Sequence, residues 1–444
     1  MTRTRANDQA RAEVAARRPF RGRRGRPHRQ PGPVKTVAFR PVRSAAAGSA
    51  AIATVLAALT AAFGGTPASA AALHASAKAA HVAPAGPATV RGDARRSAAA
   101  VSGVTWHALR LLNGWRSEQA KWNSGNPSWA VKGGVVYLSG SLHQPGGTNR
   151  EFAVLPAAAR PARTLFLTVY TANGTTGTME ILPTGPMSVS SIALRPAGRI
   201  SDAKDHTSLS LGGAQDYTSL AGVSFPAAAT AMHKLSLLNG WQSSQPAYGT
   251  GAPAYTVTGG VVHLSGALHQ PAGTNEEFAV LPAAARPARV LYLTVCTVAG
   301  NTGVLQIDPD GEMSAYQGGA RGFTSLAGVS FRTAATAAHK LSLRNGWQSS
   351  QSAWDTGDPA YTVTGGVVYL SGSMHQMAGS NLVFAVLPLA ARPRHQLWIT
   401  TYTFDGAVGA LRITPAGVMS AFNATGNAAQ AYTSLAGIAY PLGS

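Results

Sequence analysis

Three histidine–glutamine pairs close three near-copies of one stretch: "GGVVYLSGSLHQ" at 133–144, "GGVVHLSGALHQ" at 259–270 and "GGVVYLSGSMHQ" at 365–376. Histidine is the residue type that serves as general base, metal ligand or hydrogen-bonding contact near neutral pH. A histidine base needs an orienting acid and a nucleophile. Ser139 and His143 share a face by strand alternation, yet no acid recurs at a matching place: Glu151 and Glu277 correspond, and Val383 stands there in the third copy. A glycosidase pair of carboxylates fails on the same count. Within one copy there is no His-x-His, no cysteine pair and no acidic loop of the calcium type, so neither metal nor cofactor is expected. The expectation is a protein that is not an enzyme.

Two readings stay open for His143, Gln144, His269, Gln270, His375 and Gln376. Each histidine caps a strand end by bonding a loop carbonyl, with the glutamine starting the turn, or the pair touches a ligand. Arg160, Arg286 and Arg392 sit in "ARP" corners, where an arginine bonds loop carbonyls or recruits an acidic ligand. Trp115, Trp241 and Trp347 each follow Asn-Gly and are read as structural plugs, with a sugar-stacking platform as the alternative.

The elements that must position these residues repeat as well. "LLNGW" at 111–115 returns at 237–241 and as "LRNGW" at 343–347, and "FAVLPAAARPAR" at 152–163 is identical at 278–289. A period near 106 residues is the size of a self-sufficient domain rather than of a solenoid repeat. Within a copy, short β-branched and aromatic runs such as "AYTVTGG", "VLYLTVCTV" and "EMSAY" alternate with Gly/Pro/Asn turns. No sustained helical period occurs. The fold class expected is all-β: three tandem antiparallel β-sandwich modules, jelly-roll-like, at 106–226, 232–332 and 338–444. The first copy carries an insertion at 188–213. By alternation, Val136, Leu138 and Leu142 face a core, while Tyr137, Ser139 and His143 face solvent or a neighbour.

The net charge of +20 is concentrated: residues 1–43 hold thirteen Lys/Arg against Asp8 and Glu13, leaving +9 elsewhere. No basic stripe is interleaved with aromatics in the remainder, so nucleic acid is not an expected partner. A basic start, an apolar run from Ala45 to Phe63 and "TPASA" ending at Ala70 read as a signal peptide over 1–70, and hence as a secreted protein with no stable membrane span after cleavage. An uncleaved anchor is the alternative, and "RRPF" at 17–20 resembles a twin-arginine signal. Residues 71–105 read as a disordered tether. Cys296 has Tyr170 and Tyr402 as counterparts and no partner for a disulfide; it is read as a buried thiol.

A strand ending in "NGW", then "GGVVYLSG", "FAVLPAAARP", an "I-x-P-x-G" hairpin and a closing "TSLAGVSF" resembles the C-terminal β-sandwich head modules of phage tail-fibre and receptor-binding proteins. The resemblance covers the three modules and not the N-terminal segments. It implies a non-enzymatic tip domain, commonly trimeric, that binds cell-surface carbohydrate or protein. A signal peptide and three heads in tandem depart from that pattern and point to a bacterial secreted protein using the module. The expected partner is therefore a surface glycan or envelope polymer, with a structural protein whose modules only self-associate as the rival. The nine-residue linkers 226–234 and 332–340 span at most about 30 Å. That reach allows an intrachain pseudo-trimer, a homo-oligomer or beads on a string.

Overall fold

Short alternating runs with glycine-rich turns can bury one face only by pairing and stacking, and the chain does this three times over. The computed structural model describes residues 104–191, 212–333, 337–424 and 426–444. The signal segment 1–70, the tether up to residue 103 and positions 192–211 of the first-copy insertion lie outside the described residues. Among the described residues no helix is long and apolar enough to cross a membrane.

In the second copy the first sheet orders His233–Lys234, Ala254–Thr258, Val261–Ser265 and Ser330–Arg332, all antiparallel. A small sheet joins Gln242–Ser243, Ala267–His269 and Thr324–Ser325. A third runs Glu277–Val280, Glu312–Tyr316, Thr302–Ile307 and Leu291–Cys296. The first and third copies repeat these sheets at equivalent positions. Each copy encloses its own core, in which Phe152, Phe278 and Phe384 occupy one equivalent, fully buried position.

The "GGVVYLSGSLH" stretch is two strands and not one. Val135–Ser139 belongs to the first sheet, Ser141–His143 to the small one. Gly140 makes the break at φ +91, a left-handed conformation, and a Cβ there would run into the backbone of Asn126 and Pro127. Glycine is the residue that permits both the angle and the approach. The core face is as the alternation requires: Val136, Leu138 and Leu142 are buried. Tyr137, Ser139 and Ser141 on the other face are buried too: Tyr137 packs on the other two copies, and Ser141 bonds the Ser124 hydroxyl of its own copy.

Candidate functional site

The nine predicted contact residues fall into three equivalent sets. Each glutamine is buried and staples its loop. Gln144 Nε2 donates to the carbonyls of Asn113 at 2.7 Å and Asn149 at 3.0 Å, Gln270 to Asn239 and Asn275, and Gln376 to Asn345 and Asn381. The indole N–H of Trp115, Trp241 and Trp347 donates to the same carbonyls, of Asn149, Asn275 and Asn381. These tryptophans are buried and pack against Phe152, Phe278 and Phe384. Arg160, Arg286 and Arg392 donate Nε to the carbonyls of Leu155, Leu281 and Leu387, each at 3.0 Å.

The histidines differ between copies. His143 Nδ1 lies 2.8 Å from Oε1 of buried Glu118. His269 and His375 instead meet the hydroxyls of Ser244 and Ser350, at 3.1 and 3.0 Å. Burial pushes the His375 ring below the usual imidazole range. Filtering acids by repetition hid Glu118, since its counterparts are the two serines. Among the described residues no His/Cys/Asp/Glu group is arranged to hold a metal ion. The side-chain bonds of these sets join elements within one copy and do not bring the arginine corners to the histidines.

What the fold brings together is the three copies. Val135, Val261 and Val367 meet in one buried cluster with Tyr137, Tyr369 and Trp106. Equivalent residues converge this way where a threefold pseudo-axis passes. His263 takes the place of Tyr137 and Tyr369, is 3% exposed, and is pushed down to about 4 by burial. Arg332 stands 5.4 Å over the Tyr369 ring and donates to Thr364 Oγ1 at 2.9 Å. Farther along, a cavity of about 90 Å³ is bounded by Thr168, Thr294 and Thr400 with parts of three closing loops.

The ring closes through three equivalent seams. Backbone N–H groups of Thr164, Val290 and Gln396 donate to the carbonyls of Gly249, Asp355 and Asn123, running from copy one to two, two to three and three to one. Beside each bond an aromatic side chain from a strand of one copy enters the next. Phe166 packs on Tyr248 and Phe323, Tyr292 on Trp354, Tyr402 and Tyr432, and Trp398 on Trp122 and Tyr170. Cys296 lies in the first of these seams, where burial pushes its thiol up to about 12.

Neither Trp122, Tyr248 and Trp354 nor Phe166, Tyr292 and Trp398 was singled out by sequence pattern. The available signal was the outward face of "LFLTVY", "LYLTVC" and "LWITTY", which carries an aromatic at its second position each time in place of a charge.

No family model matches the chain, and no curated protein does. Among solved structures it is similar to the BP39L lectin from Burkholderia pseudomallei at 14% identity, with 68% of this chain and 81% of that chain covered and a TM-score of 0.10. At that score the likeness carries no weight for fold or function.

Proposed function

We propose that this protein is an exported, non-enzymatic binding protein in which three tail-fibre-like heads, fused in one chain, present a pseudo-trimeric head to surface carbohydrate or an envelope polymer. The observation that carries the reading is the closed ring, in which Val135, Val261 and Val367 meet on one axis. Tail-fibre heads reach that arrangement with separate chains, according to the resemblance above; here one chain supplies all three. Trp106, near the start of the described residues, packs on the same cluster. In each copy the Asn-Gly turn and the His-Gln loop are stapled together past the glycine break, at the end of Ser141–His143 or its equivalent. Three equivalent loop sets facing one way suit a repetitive surface, where weak sites gain by linkage.

The test is binding of the exported chain to a panel of bacterial and host surface polymers. Saturable binding that soluble polymer competes away is expected; no binding across the panel overturns the reading. The rival, a structural protein whose modules bind one another, draws on the packing of Phe166, Tyr292 and Trp398 within seams. Because those seams lie within one chain, the rival is met by a monomer too, and the absence of saturable polymer binding is what separates it from the binding head.

A further inference from the structure

The three seams are alike in position and unlike in charge. In the seam between copies three and one, the strand aromatic Trp398 carries its own cation: the Arg412 guanidinium sits 5.8 Å from its ring centroid. Lys121 sits 5.4 Å from the Trp122 ring centroid in the same seam. In the seam between copies two and three the equivalent positions are Gln306 and Ala353, and neither supplies a charge. Arg289 of this seam is engaged by Asp355 at 2.7 Å.

The same seam holds a dimple of about 20 Å³, lined by Tyr292, Trp354, Tyr402, Phe404, Tyr432 and Asp405. Tyr292 and Tyr402 stack with centroids 5.7 Å apart and planes at 23°, while Trp354 and Tyr432 stand nearly perpendicular to Tyr292. Asp405 is exposed, accepts from Gln317 Nε2 at 3.4 Å through one carboxylate oxygen, and is the charged residue of the wall; its counterparts in the other seams are Asn173 and Ala299.

We propose that this dimple binds a primary ammonium group, with the aromatic side chains as its walls and Asp405 as its counter-ion. Aromatic faces attract cations through the ring quadrupole, most strongly where water is excluded. Two carboxylates, Asp308 and Asp405, act on the phenols of the wall. Burial foremost, then the Asp308 charge, pushes the Tyr292 phenol up to about 12. Tyr402 is raised by burial and, to a smaller extent, by Asp405. Size sets the class of cation: one water-sized probe needs about 10–15 Å³, so –NH3+ enters where a trimethylammonium head does not. A lysine side chain and an amino sugar both carry this group. The inference stands apart from the choice of polymer above.

The experiment titrates the full chain with n-butylammonium and with tetramethylammonium chloride at constant ionic strength, by calorimetry and ligand-observed NMR. Saturable butylammonium binding is expected, about tenfold tighter than tetramethylammonium. Asp405→Asn, which installs the residue that already holds the left-handed turn at Asn173, weakens it by up to about fivefold, the scale of one exposed ion pair. Asp310→Asn, outside the dimple, leaves it unchanged. Should Asp405→Asn lower the melting temperature, Trp354→Tyr must produce the same loss. Absence of saturation, indifference to Asp405→Asn, or preference for the quaternary ion overturns the assignment. Nα-acetyl-lysine methylamide and glucosamine, titrated alongside, name the carrier by which binds more tightly, and failure of both also overturns it.

Discussion

The hydroxyls of Tyr137 and Tyr369 lie 3.5 Å apart although 232 residues separate them in the chain. Two copies of one strand meet there face to face, and the third contributes His263 at the same position. An apolar ring of valines surrounds them, so the axis tolerates phenols and a neutral imidazole but penalises a charge.

That penalty gives a pH dependence. The His263 pKa is about 4 in the folded chain against about 6.5 unfolded. Between those values the unfolded chain binds more protons, so stability rises with pH and is lost as pH falls from about 6.5 toward 4. One such group is worth roughly 2–3 kcal/mol at the bottom of the window. His263→Tyr, which copies the other two modules, should remove that part of the slope. Urea unfolding at pH 7 and 4.5 measures it; equal pH slopes for the two proteins would mean that His263 is not held neutral.

Much of this assembly could be read from the residues. Alternation sorted Val136, Leu138 and Leu142 from Tyr137 correctly, and the choice between solvent and neighbour resolves to a neighbour for Tyr137, whereas His143 turns to Glu118 of its own copy. The break at Gly140 was not legible, because a glycine within an alternating run looks the same whether its φ is negative or positive. The seams escaped notice for a different reason. Trp122, Tyr248 and Trp354 ride on single-turn helices, Gln119–Trp122, Gln245–Tyr248 and Gln351–Trp354. Four residues are too few to show a period.

The loop staple predicts a stability cost at Gln270. Its amide donates to Asn239 and Asn275, and the Asn275 carbonyl keeps the Trp241 indole when the amide is removed. Gln270→Ala therefore orphans chiefly the Asn239 carbonyl, at about 1–3 kcal/mol. Chemical denaturation provides the number. A change below about 0.5 kcal/mol would show that water replaces the amide at no cost.

Arg289 makes the opposite case. Its pair with Asp355 spans a seam at 2.7 Å, but the side chains are 50% and 60% exposed. Solvent screening leaves such pairs worth about 0–1 kcal/mol. Arg289→Ala should shift the unfolding midpoint little, and raising salt should shift the parent protein equally little. A loss above about 2 kcal/mol would mean that the pair, rather than the aromatic packing beside it, closes the seam.

Closure itself is tested at Gly437. This residue has φ +75 and lies against Leu293 of the second copy, where a Cβ would meet the leucine Cδ2. Gly328 stands in the same relation to Leu167, and Gly222 to Ile399, so the contact runs around the whole ring. Gly437→Ala adds a left-handed penalty of about 1–2 kcal/mol to an overpacking cost of about 1–3 kcal/mol. The first term belongs to the loop of one module; the second exists only when the modules touch. Leu293→Ala in the same chain opens the space and should recover the second term while leaving the first. A double-mutant cycle by urea unfolding separates them. A coupling near zero would place the modules apart in solution, and a favourable coupling above about 1 kcal/mol would place Gly437 against Leu293 in the closed ring.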